Sequence, residues 1–113
     1  MSNPLEITVQ EAARLLDTTD SRTQPKLVDV REPDEFEVCK IVAAELLPLS
    51  VFVRDFAVKL PDKSQVILLY CHHGMRSLRA AEYLANLGYT GVKSVSGGID
   101  KWSLEIDPEV PRY

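Results

Sequence analysis

The sequence predicts an α/β domain built on an open parallel sheet with helices on both faces. Three observations carry that prediction. Strand-type and helix-type patterns alternate along the whole chain. The run Gln65 to Tyr70 is apolar on both of its sides, as expected of a central parallel strand covered from each face. A length of 113 residues with 45% apolar content furnishes one core, so residues 1–113 are read as a single domain.

The elements follow in order. Thr8 to Glu11 reads as a capping box, after which Val9, Ala12, Ala13 and Leu16 recur at helical spacing. The polar stretch Asp17 to Lys26 breaks that pattern, and Leu27 to Val30 is a brief strand running into Arg31-Glu32-Pro33. Pro33 opens a short helix through Phe36 and Val38, and Ala43 to Leu47 forms another strand before Pro48. Ser50 is expected to cap a third helix with Val53, Phe56, Ala57 and Leu60 on its inner face, stopped at Pro61.

Gln65 to Tyr70 is the apolar central strand. Met75 to Leu87 then places Ala80, Ala81, Leu84 and Leu87 on one stripe, and Gly88 supplies the stop. Val92 to Val95 is a last strand, leading through Ser96-Gly97-Gly98 to a helical turn that carries Trp102. The tail from Asp107 to Tyr113 is expected as an extended surface strap. No internal repeat or low-complexity segment interrupts the series.

A formal charge of −4, with Lys and Arg scattered, leaves no electrostatic footprint for nucleic acid. The start has no basic segment followed by an apolar one, and no later run is long enough to cross a bilayer, so a soluble cytoplasmic protein is expected. Cys39 and Cys71 are too few for a secreted disulfide framework and too widely separated for a paired metal motif.

Cys71 directly follows the most apolar strand, at the carboxyl edge where open α/β sheets bind ligands. Cys71-His72-His73-Gly74-Met75-Arg76-Ser77 forms a tight strand-to-helix loop whose amides are expected to turn inward as an anion cradle. Gly74 permits the curl. Such a cradle is expected to favour a thiolate, the reactive form. The alternative is a buried cysteine that merely packs.

At this point the chain resembles a single-domain rhodanese, a sulfurtransferase of the rhodanese-like family. The resemblance rests on Leu27-Val28-Asp29-Val30-Arg31-Glu32 followed by Glu35-Phe36, on the loop Cys71 to Ser77, and on Gly97-Gly98-Ile99 with Trp102. It implies a five-stranded parallel sheet and a Cys71 persulfide formed from a small-molecule sulfur donor such as thiosulfate. A thiol, cyanide or a protein thiol then accepts the sulfur. It further implies that the amides of His72, His73, Gly74, Met75, Arg76 and Ser77 stabilise the anionic sulfur, and that the Arg76 side chain holds an anionic donor or leaving group.

Asp29 and Arg31 match an aspartate and arginine of the family beside the active edge, where they orient the loop or form a structural ion pair. His72 and His73 are read as loop residues that tune donor choice. Adjacent histidines do not easily aim at one ion and no four-ligand set is present, so neither metal nor cofactor is expected. Where the family usually has Gly-His-Ile the chain has Cys39-Lys40-Ile41, and Val42-Ala43 replaces the usual Pro-Gly. Cys39, preceding the third strand, is placed near the amino-terminal edge and is not expected to pair with Cys71.

Two other functions compete with sulfur transfer. Rhodanese-like domains also serve as non-catalytic interaction modules, although such modules commonly lack the cysteine. Related cysteine phosphatases use a longer loop, whereas here four residues separate Cys71 from Arg76.

Overall fold

The computed structural model describes residues 3–17 and 24–113. Among these, five strands form one all-parallel sheet in the order β1-β5-β4-β2-β3. The strands are β1 (Glu6–Ile7), β2 (Lys26–Asp29), β3 (Glu45–Leu46), β4 (Ile67–Tyr70) and β5 (Val92–Val95). Between and after them run α1 (Val9–Leu16), α2 (Pro33–Val38), α3 (Phe52–Lys59), α4 (Met75–Asn86) and α5 (Gly98–Glu105). Residues 18–23 of the polar stretch lie outside the described residues. No helix among the described residues is long and apolar enough to cross a membrane.

Alternation along the central strand decides how the core divides. All four residues of β4 are fully buried, and successive side chains point to opposite faces. Ile67, Leu69 and then Cys71 face α3 and α4 through Phe52, Leu60, Ala80, Ala81 and Leu84. Leu68 and Tyr70 face α1 and α5 through Val9, Ala12, Ile99 and Trp102. The sheet therefore separates Cys71 from Cys39, which packs in the second cluster.

Several elements differ from their sequence reading. β1 is only two residues long and has no alternation to detect; it is held against β5 by the amide of Ser94 donating to Leu5 and that of Ser96 donating to Ile7. α3 begins with a 3₁₀ turn, Leu49–Val51, and Ser50 does not cap it. Instead the Ser50 hydroxyl donates to Glu32 Oε1 at 2.6 Å. The inner face of α3 is Phe52, Phe56 and Leu60, with Val53 and Ala57 exposed.

Phe56 and Leu60 keep the expected face, while Phe52 takes the place of Val53 because Phe52 and Phe56 pack together and Phe56 meets Tyr83 and Tyr89 edge to face. Leu87, assigned to the inner stripe of α4, is exposed: the helix has ended at Asn86 and Gly88 turns the chain at φ 95°. Cys39 is not at the amino-terminal edge either, since its carbonyl accepts a 2.6 Å bond from Arg31, just beyond the carboxyl end of β2.

Candidate functional site

Cys71 leaves β4 at the carboxyl edge, and the chain turns at once into α4. Gly74 makes that turn at φ 105°, a left-handed conformation that side chains with a Cβ rarely adopt. The turn points the Gly74 amide at Cys71 Sγ at 3.1 Å, and the Ser77 amide reaches the same sulfur at 3.4 Å. The Ser77 hydroxyl lies 3.5 Å from it. Three donors from the first turn of α4 thus converge on one sulfur, at the helix end that favours negative charge.

The sequence reading enlists the amides of His72, His73, Met75 and Arg76 as well; among the described residues the hydrogen bonds to the sulfur come from Gly74 and Ser77. The thiol is also more enclosed than a loop at a sheet edge suggests, with Cys71 only 1% exposed. Met75, 67% exposed, turns to solvent.

Two further elements brace the loop. Ser94 on β5, fully buried, shares a 2.7 Å hydrogen bond with the Ser77 hydroxyl. No pattern in the sequence singles out Ser94, because a serine inside a short strand becomes meaningful only when that strand lies beside the loop. The amides of Ile99 and Asp100, at the start of α5, donate to the carbonyls of Cys71 and His72 at 2.8 and 3.1 Å. This approach needs Gly98: a Cβ there would overlap the Cys71 carbonyl oxygen.

Arg76 does not stand free at the rim. Its guanidinium closes on Glu35 of α2, with Nη1 donating to Oε1 at 2.7 Å and Nη2 to Oε2 at 3.0 Å. Glu35 Oε2 also accepts the Tyr113 hydroxyl at 2.8 Å. The Arg76 bond, joined by that of Tyr113, holds the Glu35 carboxyl well down, at about 2, despite partial burial. The same bond raises the affinity of Arg76 for its proton. Glu35 lies inside the motif that carries the resemblance, yet its partner is 41 residues away and unreadable from spacing.

Tyr113 is a second residue without a local signal. The tail is not simply a surface strap, because Val110 is buried and Tyr113 returns to the site. Its ring stacks on His72 with centroids 4.0 Å apart. Its hydroxyl accepts from Arg31 Nη1 at 2.8 Å while donating to Glu35. Burial raises its own pKa to about 12, with the Glu35 carboxylate adding to the effect.

Asp29 and Arg31 form a wholly buried ion pair, closest at 2.6 Å. Arg31 also donates to the carbonyls of Cys39 and Glu35, at 2.6 and 3.3 Å, tying the end of β2 to both ends of α2. Neither side chain has a hydrogen bond to the Cys71 loop, and the pair acts through Tyr113 and α2. Burial works against the Arg31 charge, and the bonds to Asp29 and Tyr113 outweigh it.

His72 is sandwiched between His73 and Tyr113, and its Nε2 is buried without a hydrogen-bond partner. Burial, and then the neighbouring His73, lower its pKa and favour the neutral ring. One ligand atom from each of His72, His73 and Asp100 lies within 4.8 Å of the others, closer than expected for adjacent histidines. Asp100, however, already accepts two bonds from Arg112, at 2.8 and 3.4 Å, and three ligands fall short of the four of a structural zinc site.

Comparison with known proteins finds relatives of this chain. The rhodanese-like domain family matches residues 8–105. The chain is 36% identical over 94 residues to the rhodanese-like/PpiC domain-containing protein 12, chloroplastic, of Arabidopsis thaliana, covering 80% of this chain and 31% of that protein. It is 32% identical over 99 residues to the probable adenylyltransferase/sulfurtransferase MoeZ of Mycobacterium tuberculosis, covering 88% of this chain and 25% of that protein. The chain thus spans under a third of the curated relatives it matches. Among solved structures, a rhodanese-related protein from Thermoplasma volcanium superposes with TM-score 0.77 at 27% identity, covering 96% of this chain and 98% of that one.

Proposed function

Given that the chain belongs to the rhodanese-like domain family, whose sulfurtransferases act on sulfur donors and thiol acceptors, we propose that it transfers sulfane sulfur through a persulfide on Cys71. The observation that carries this reading is the convergence of the Gly74 and Ser77 amides on Cys71 Sγ. Hydrogen-bond donors fixed at a helix N-terminus favour a thiolate, the nucleophilic form, and then the terminal sulfur of a persulfide. Enclosure of the sulfur strengthens these interactions by excluding water.

With thiosulfate as donor, the thiolate electron pair forms a bond to the outer sulfur. The donor's S–S bond breaks, and its electron pair leaves with sulfite. The Cys71 persulfide anion is then attacked at its terminal sulfur by cyanide or a thiolate; with cyanide, thiocyanate forms and the Cys71 thiolate is regenerated. This is covalent ping-pong catalysis, and no external oxidant or reductant is consumed. A reducing, cytoplasm-like compartment suits the two free cysteines.

Incubation of the protein with sulfane-sulfur donors, followed by intact mass measurement, tests the reading. The expected result is a gain of one sulfur atom at Cys71, discharged by cyanide as thiocyanate, with both abolished in Cys71→Ser. An unmodified mass across a panel of thiosulfate, polysulfide and alkyl persulfide would overturn it.

A further inference from the structure

Resting on the sulfurtransferase reading, we propose that Glu35 is a specificity-determining residue that withholds Arg76 from the donor, so that the site favours sulfur carried as a persulfide on a thiol over the thiosulfate dianion. The geometry begins with the guanidinium itself. Both terminal nitrogens of Arg76 are committed to the two Glu35 oxygens, at 2.7 and 3.0 Å. Glu35 is not a loose counter-ion. Its Oε1 also accepts the Glu32 amide at 3.2 Å, and its Oε2 accepts the Tyr113 hydroxyl at 2.8 Å. These bonds hold the Glu35 carboxyl well below its ordinary range, so it faces Arg76 as a carboxylate at neutral pH.

Two further guanidinium groups are matched in the same way. Arg31 is committed to Asp29, and Arg112 to Asp100. His72 is held towards its neutral form by burial and by His73. Among the described residues these guanidinium groups therefore each face a carboxylate, and the rim offers little net positive charge to an incoming dianion. Thiosulfate arrives with two negative charges and departs as sulfite with two. A thiol persulfide, R–S–SH, gives its outer sulfur to the Cys71 thiolate as the S–S bond breaks. It leaves as one thiolate, RS⁻, while Cys71 becomes the persulfide Cys–S–SH.

A double-mutant cycle tests the assignment. Thiosulfate kinetics with cyanide as acceptor are measured for the wild type, Glu35→Gln, Arg76→Ala and the double variant, beside loading of Cys71 by glutathione persulfide. Freed from Glu35, Arg76 gains charge-assisted hydrogen bonds to the donor, so Glu35→Gln is expected to lower the thiosulfate KM by about tenfold or more. Arg76→Ala alone is expected to change that KM by less than about fivefold, as for removal of one member of a partly exposed ion pair. In the Glu35→Gln background the same change should raise it by about tenfold or more.

An unchanged or raised KM in Glu35→Gln, or equal effects of Arg76→Ala in the two backgrounds, would overturn the proposal. If Glu35→Gln does not fold, the wild type alone decides: Cys71 should react more slowly with iodoacetate than with neutral iodoacetamide relative to a free thiol, and preference for the anion overturns it. Loading by glutathione persulfide without the expected KM shift defeats this inference only. Failure of every donor to load Cys71 defeats the sulfurtransferase reading, and this inference with it.

Discussion

Arg31 shows how a single residue can be legible in type and illegible in task. Its place two residues beyond Asp29 suggests a partnership, and the two do meet, fully buried, at 2.6 Å. The rest of its work reaches past that neighbour, because its nitrogens also bond the carbonyls of Glu35 and Cys39 and the hydroxyl of Tyr113, 82 residues away. Removing one member of a buried ion pair leaves the other charge uncompensated. Arg31→Met is therefore expected to destabilise the domain by about 3–5 kcal/mol. A urea titration should show a lower midpoint at similar slope, and a loss below about 1 kcal/mol would contradict the central role assigned to this guanidinium.

Among the elements, the connection into β3 shows a departure from family habit acting through the backbone. Ala43 stands where the resemblance leads one to expect glycine, and it is the one described residue other than glycine with positive φ, at 74°. A Cβ in that conformation costs roughly 1–2 kcal/mol, and Ala43 is exposed, so its methyl recovers nothing by packing. Ala43→Gly should relieve the strain while adding freedom to the unfolded chain, a net stabilisation of about 0.5–1 kcal/mol. Thermal denaturation should register it as a higher Tm; a lower one would mean that chain entropy outweighs the strain. By contrast, α2 follows directly from Pro33 at its first position, and α4 from its alanine and leucine stripe ending before Gly88.

On the scale of the whole molecule, the sheet acts as a partition. Cys71 packs with α3 and α4, and Cys39 packs on the opposite face with α1 and α5. The two thiols are free, and β4 with its neighbours stands between them. The sequence reading separates them along the strands, while the fold separates them across the sheet. Both arrangements exclude a disulfide, whose Cα atoms must lie within about 7 Å. Cys39→Ser should leave the rate of sulfur transfer within about twofold of wild type, since Arg31 holds the Cys39 carbonyl and not its thiol in the closer contact. Kinetics showing loss of turnover, or peptide mapping of a Cys39–Cys71 bridge in the native protein, would contradict this partition.

Period and punctuation were enough, from the sequence by itself, to reveal the parallel α/β architecture, the central strand and the Cys71 loop between strand and helix. Each depends on neighbours within a few residues: a buried run of aliphatics, a glycine that permits the turn, a helix whose first amides are unpaired. Tertiary structure alone decided which loop amides reach the sulfur, that Glu35 closes on Arg76, that Ser94 supports Ser77, and that Tyr113 returns to stack on His72. Those contacts join residues 17 to 41 positions apart, apart from the loop's own. The physical reason is that a hydrogen bond depends on distance and direction in space. Periodicity encodes which face a side chain takes, but not the partner it meets there.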